Sequence, residues 1–192
     1  MSLNELFADE RLQFFLRNRD DIKTWAAIEA DVMAATRELL ARSHPLIEER
    51  LLAIDPRAVV GRHDSGQWER ILARHEQWPA TVGLALEWPR SVDPLGPTRP
   101  KVGVFWWADP PTLIEPRTRL LSLIDKASLI GLGYKVPLEG AWPVGARTVV
   151  SHDWWREPEA WISSVVDQLC AAWPLVAPQI DALRPGENGS VG

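Results

Sequence analysis

Two apolar segments near the middle of the chain constrain the fold most. Residues 81–88, TVGLALEW, and residues 101–107, KVGVFWW, alternate between larger apolar side chains and small or polar ones. Side chains of a strand point to opposite faces with a period of two, so each segment has one apolar face. These apolar faces consist of Val82, Leu84, Leu86 and Trp88, and of Val102, Val104 and Trp106. With the proline-rich connection 89–100 between them, the segments predict two neighbouring strands.

Helical periodicity predicts the elements that pack against these strands. The most amphipathic segment is 22–41, in which Ile22, Trp25, Ile28, Val32, Ala35, Leu39 and Leu40 recur at helical spacing. Two other helices are predicted before the apolar segments, residues 2–17 with a capping box at Ser2–Glu5 and residues 45–54. A further helix, capped by Ser65, carries Trp68, Ile71 and Leu72. After the apolar segments, one helix begins at Pro116, and another begins at Pro158 and kinks or breaks at Pro174.

The remaining segments complete an α+β pattern. Residues 134–138 and 146–151 predict two further strands, and residues 57–64 predict a short edge strand. We therefore expect an antiparallel sheet of about four strands packed by helices, with an N-terminal helical extension and a long C-terminal helix. One domain is predicted over residues 1–184, mainly helical over 1–78 and containing the sheet over 79–184. Residues 185–192 are expected to form a flexible tail.

Composition and the lack of targeting segments predict a cytoplasmic protein and argue against several other classes. The net charge of −5 does not favour a nucleic-acid binder. Cys170 is the single cysteine, so no intrachain disulfide can form, and its apolar neighbours predict a buried thiol. We expect no signal peptide, because the N-terminus lacks a basic region followed by an apolar run. No segment is expected to cross a membrane.

Catalytic patterns are absent or incomplete, so we expect no cofactor. An HD-type metal phosphohydrolase would have to use His44, His63, Asp64 and Asp93, but residues 61–66 read as a turn where helical ligands are required. A divalent-metal hydrolase or nuclease using Asp55, Glu87 and Asp93 is the alternative hypothesis. Against it, the segment that begins at Glu87 lacks the lysine of the nuclease tripeptide.

Tryptophan is over-represented, with 11 residues beside one tyrosine. Indole and guanidinium groups on one patch are typical of interface anchors. Binding of a protein partner, or self-association, is therefore the favoured function. Stacking of tryptophans on single-stranded nucleic acid is less favoured. A pocket walled by indoles that binds a small ligand is a third hypothesis. The candidate contact residues are Trp88, Arg90, Arg99, Trp107, Arg117, Trp142, Trp154 and Trp155.

The C-terminal segment 154–181, WWREPEAWISSVVDQLCAAWPLVAPQID, carries a resemblance to a known group of domains. It resembles the closing segment of small accessory α+β domains of unknown function that accompany restriction-endonuclease-like proteins in bacteria. The resemblance extends over residues 80–183. It implies a recognition or scaffolding role in restriction or phage defence, and it carries over no catalytic residue.

Overall fold

A five-stranded antiparallel sheet, with its strands side by side in chain order, forms the centre of the fold. The computed structural model describes residues 9–92, 99–106, 114–137, 142–147 and 154–183. The strands are β1 (Ala58–Asp64), β2 (Trp68–His75), β3 (Val82–Pro89), β4 (Lys101–Trp106) and β5 (Val144–Arg147).

In the described residues, three helices precede the sheet in the sequence, two lie between β4 and β5, and one follows β5. They are α1 (Glu10–Arg17), α2 (Arg19–Ala41), α3 (Ser43–Ile54), α4 (Ile114–Leu123), α5 (Lys126–Gly131) and α6 (Pro158–Asp181), with a 3₁₀ turn at Trp154–Arg156. α6 contacts β3 and β4, and α3 contacts β1. The apolar face of β3 packs in this helix-covered core, together with buried residues of α6. The predicted α+β class, with an N-terminal helical region and a long C-terminal helix, is confirmed.

The strand pattern predicted for β3 and β4 is also confirmed. Val82 pairs with Trp106 and Glu87 with Lys101, so the two apolar faces lie on the same side of the sheet. Their opposite side is buried as well, which the alternation did not predict. Leu72, Ala85, Phe105 and Trp142 form a second apolar cluster there.

The predicted helix after Ser65 is wrong, because residues 68–75 form β2. Gly66 adopts a positive φ of 75° in the turn between β1 and β2, a conformation that suits glycine. In β2 the alternation of Ile71 and Ala73 in the main core with Leu72 on the other side has the period of a strand. The sheet therefore begins within the region predicted to be mainly helical.

Two other predictions need correction. α6 is continuous through Pro174, so a break does not occur there, and the alternative, a kink, stays a prediction. Proline removes a single donor here, and the buried residues on both sides, Trp173 and Val176, keep the helix packed. Of the predicted strand 134–138, the described residues 134–137 form only a bridge, from Lys135 to Gly145. The capping box at Ser2 and the predicted tail lie outside the described residues.

By length and composition, α6 is one helix of the described chain that could cross a membrane. The expectation that no segment crosses a membrane stays a prediction. In this structure 56% of its most apolar 18-residue window is buried within the fold. A helix that is apolar on most sides is also typical of the centre of a packed core.

Candidate interaction surface

α2 is fixed to the rest of the fold by its C-terminal half. Thr36 and Leu40 are buried, and α2 contacts α3 and α6. Arg37 donates hydrogen bonds to Glu69 of β2, at 3.0 Å from its Nε, and Arg62 of β1 donates to the other oxygen at 3.0 Å. Burial pushes the pKa of Glu69 up, but the hydrogen bonds from the two arginines outweigh it and the pKa is lowered. This ion-pair group joins α2 to the edge of the sheet.

The N-terminal half of α2 exposes the apolar side chains that the periodicity assigned to the core. Trp25 is 71% exposed, Ile28 is 51% exposed and Val32 is 47% exposed. Ala35 is also exposed, and Leu39 is partly buried against the core. We call the line formed by Trp25, Ile28, Val32, Ala35 and Leu39 the α2 seam. Large apolar groups that share one exposed line on a helix mark a contact surface more often than scattered ones do.

The spacing within the α2 seam is that of a helix that pairs with another helix. The intervals from Trp25 to Leu39 are 3, 4, 3 and 4 residues, which is the a and d pattern of a heptad. At about 1.5 Å per residue, the 14 residues between the two ends span about 21 Å. A partner helix of about four turns would therefore cover the seam.

The C-terminal end of the α2 seam opens into a cleft beside the start of α6. This cleft has a volume of about 410 Å³ and is lined by the seam residues Val32, Ala35 and Leu39, and across from them by Trp155 and Pro158. Trp155 is 61% exposed, and its ring lies 5.0 Å from the guanidinium carbon of Arg156. We call this cleft, which Val32, Ala35, Leu39, Trp155 and Pro158 line, the α2 cleft. An exposed indole beside an apolar helix face has the composition of an interface anchor.

The charges beside the α2 seam are negative. Residues 24–36 contain Glu29 and Asp31 but no lysine or arginine. Both carboxylates are exposed, and neither forms an ion pair within the described part of the chain. At the cleft end, Glu38 is paired with Arg42, and Glu159 lines the opposite wall. The centre of the seam therefore has two acidic flanks without cations to offset them.

The structure places the predicted contact residues in different environments. Trp88 is fully buried and Trp142 is buried in the second apolar cluster, so neither side chain is open to a partner. Tryptophan fills core space as readily as it anchors an interface, and here both indoles fill space on the sheet. Trp107 and the side chain of Trp154 lie outside the described residues. Trp155 is the predicted residue that lines the α2 cleft.

The three predicted arginines belong to other parts of the surface. Arg90, just after β3, is exposed and forms an ion pair with Asp64 at 2.8 Å. Arg99, just before β4, is partly buried and its Nε is buried without a hydrogen-bond partner among the described atoms. Arg117 on α4 is partly exposed. None of the three lines the α2 cleft, where Trp155 lies.

A second polar cluster, around His75 at the end of β2, was not predicted from the sequence. His75 is 1% exposed, with Nε2 2.8 Å from an oxygen of Asp55 and Nδ1 3.0 Å from an oxygen of Asp181. Trp78 donates to the same Asp181 oxygen at 2.7 Å. Carboxylate oxygens accept hydrogen bonds, so each ring nitrogen of His75 faces an acceptor.

The carboxylates around His75 are held in their ionised form. Hydrogen bonds from Arg57 to Asp55, at 3.1 Å from Nε and 3.0 Å from Nη2, hold the pKa of Asp55 well below its usual range. Burial pushes the pKa of Asp181 up, but hydrogen bonds from Trp78 and His75 outweigh it, and the pKa is lowered. The cluster joins the loop before β1, the end of β2 and the end of α6. Because the imidazole is buried, we interpret it as structural.

The carboxylates of the alternative hydrolase hypothesis do not converge where the structure describes them. Asp55 is bound to His75 and Arg57, whereas Glu87 lies on the opposite side of the sheet and accepts from Arg70 at 2.9 Å. Glu87 is buried, although it lies on the face of β3 that carries the small and polar residues. Asp93 lies outside the described residues, among which no group of three or more His, Cys, Asp or Glu could hold a metal ion.

The prediction for Cys170 agrees with the structure. The thiol is buried on α6 among residues of the main core. Burial raises its pKa to about 11, which leaves it protonated and unreactive at neutral pH.

No family model, curated protein or solved structure matches this chain. The resemblance of residues 80–183 to accessory domains of restriction systems therefore stays a prediction. The heptad spacing of the α2 seam was visible in the sequence as helical periodicity. What the sequence did not show was that this side of α2 has no covering element in the described structure.

Proposed function

We propose that this protein is a non-catalytic interaction domain that binds a partner protein through the α2 seam and the α2 cleft. The observation that carries the proposal is the continuous exposed apolar line from Trp25 to Val32, which leads into the cleft occupied on its far side by Trp155. The N-terminal half of α2 is exposed, and the helix is stabilised by its C-terminal half. That half is anchored by Leu40 and by the Arg37–Glu69 ion pair.

The chemistry of the surface supports protein binding over the alternatives. Nucleic-acid binding requires cations along the phosphate backbone, and the seam carries two carboxylates instead. Helices that lie on membranes are rich in lysine and arginine on their polar face, which residues 24–36 lack. A role beside a restriction-type nuclease stays a prediction that rests on the sequence resemblance.

Site-specific photo-crosslinking tests the proposed function. We expect a photoreactive phenylalanine analogue in place of Trp25 to form covalent protein adducts in native host cells, because the side chain there is exposed on the α2 seam. The matched control is the same analogue in place of Val59, an exposed apolar residue of β1 that lies outside the seam. Gel migration and mass spectrometry of the adducts are the readout.

The comparison of the two positions decides the outcome. Adducts at position 25 that are lost when Val32→Glu is added, with few at position 59, support binding through the seam. An adduct with a second copy of the chain supports it equally, since self-association is a protein contact. Equal adducts at both positions, or none at position 25, would contradict the proposed function.

A further inference from the structure

The negative charges beside the α2 seam indicate which class of partner protein it binds. Glu29 is at an e position and Asp31 at a g position of the heptad that begins at Trp25, so the two carboxylates flank the seam on opposite sides. In paired helices, residues at e and g meet the flanks of the partner helix and set which partner is accepted. The acidic flanks at the centre of the seam therefore select for cations opposite them.

From this arrangement we propose that the α2 seam and the α2 cleft bind an amphipathic helix of another protein with apolar a and d residues and with lysine or arginine on its flanks. The inference rests on the proposed function and specifies its partner. The seam length of about 21 Å corresponds to about four turns of that helix. One apolar residue near its end enters the cleft between Val32 and Trp155.

Self-pairing of α2 is less favourable than this pairing. A second copy brings the same stretch, residues 24–36, with the same two carboxylates and no cation. Pairing the two stretches would bring together four negative charges without a positive one nearby. Like charges placed opposite each other across a helix pair oppose association, whereas Lys or Arg at those positions would form ion pairs with Glu29 and Asp31.

Two synthetic peptides separate these possibilities. Both are 21-residue helices with leucine at a and d; one has lysine and arginine at every e and g position, and the other has glutamate there. Like-charged flanks oppose association of each peptide with itself. Each peptide carries a fluorescent label and is titrated with the full chain, and binding is read as fluorescence anisotropy at low and at high salt.

We expect the basic peptide to bind at least tenfold more tightly than the acidic peptide at low salt, with a smaller ratio at high salt because salt screens exposed charges. The double variant Glu29→Lys/Asp31→Lys should reverse the preference. Both side chains are exposed, so this variant should fold as the parent does. The control variant Glu48→Lys/Glu49→Lys changes two exposed carboxylates of α3 and should leave the preference unchanged.

Three results would overturn the inference. If the two peptides bind with equal affinity, Glu29 and Asp31 do not select a basic partner. Binding of neither peptide, together with a dimer that Val32→Glu dissociates in sedimentation, would assign the seam to self-association and keep the proposed function. Binding of neither peptide, with a monomer and no adduct at position 25, would contradict the inference and the proposed function together.

Discussion

Replacing Gly103 by alanine is expected to lower the free energy of unfolding by about 3 kcal/mol or more. A Cβ atom at this position would lie 2.2 Å from the carbonyl oxygen of Val144 and 2.6 Å from the Cα of Gly145. Both are backbone atoms of β5, which pairs with β4 at this point. The φ of 151° adds to the cost, because side chains disfavour it. β5 would have to move away from β4.

The matched control is Gly61→Ala on β1. There a Cβ would meet only the Nε2 of His63 at 3.6 Å, which is an ordinary contact. We expect a change of about 0.5 kcal/mol or less, of either sign. Urea denaturation followed by tryptophan fluorescence measures both variants. Equal stability of the two alanine variants would mean that β4 and β5 do not approach as closely as described here.

The second large effect is expected for His75→Ala, at about 3 kcal/mol of unfolding free energy. The substitution removes a buried imidazole that is hydrogen-bonded to both Asp55 and Asp181, and it leaves the two carboxylates without this partner. It also removes the ring contacts of His75 with Trp78 and Trp173, at 4.6 Å and 5.4 Å between centroids. Urea denaturation is again the measurement.

His63→Ala is the control for this substitution, since His63 is an exposed histidine on β1. We expect it to change stability by about 0.5 kcal/mol or less. If His75→Ala is no more destabilising than His63→Ala, the cluster at the end of β2 does not hold α6 to the sheet. In that case the double variant His75→Leu/Asp181→Asn should have the same free energy of unfolding as His75→Ala.

The elements that could be predicted were those whose apolar residues recur with a single period, either that of a strand or that of a helix. β3 and β4 alternate over six or more residues between proline-rich loops, and α2 repeats apolar residues over five turns. β2 was mistaken for a helix because Trp68, Ile71 and Leu72 also fit helical spacing in so short a segment. Pairing with β1 and β3 decides its conformation, and pairing partners are distant in the sequence.

The candidate site was only partly predictable for a different reason. Periodicity shows that α2 has an apolar side, but whether another element covers that side depends on the tertiary arrangement. The same limit explains the tryptophans: Trp88 and Trp155 both stand beside an arginine-containing segment, yet one is fully buried and the other exposed. The His75 cluster could not be predicted because Asp55, His75 and Asp181 come together only through packing of α6 on the sheet.

The most direct test of the account is the unfolding free energy of the double variant Trp25→Glu/Val32→Glu, measured beside Leu40→Glu. If the α2 seam is an open surface kept for a partner, the double variant stays within about 1 kcal/mol of the parent, as surface substitutions do. Leu40→Glu, which places a charge in the core, should unfold the chain. A loss of several kcal/mol in the double variant would show that the seam is packed inside this protein, and the claim of a binding surface on α2 would be contradicted.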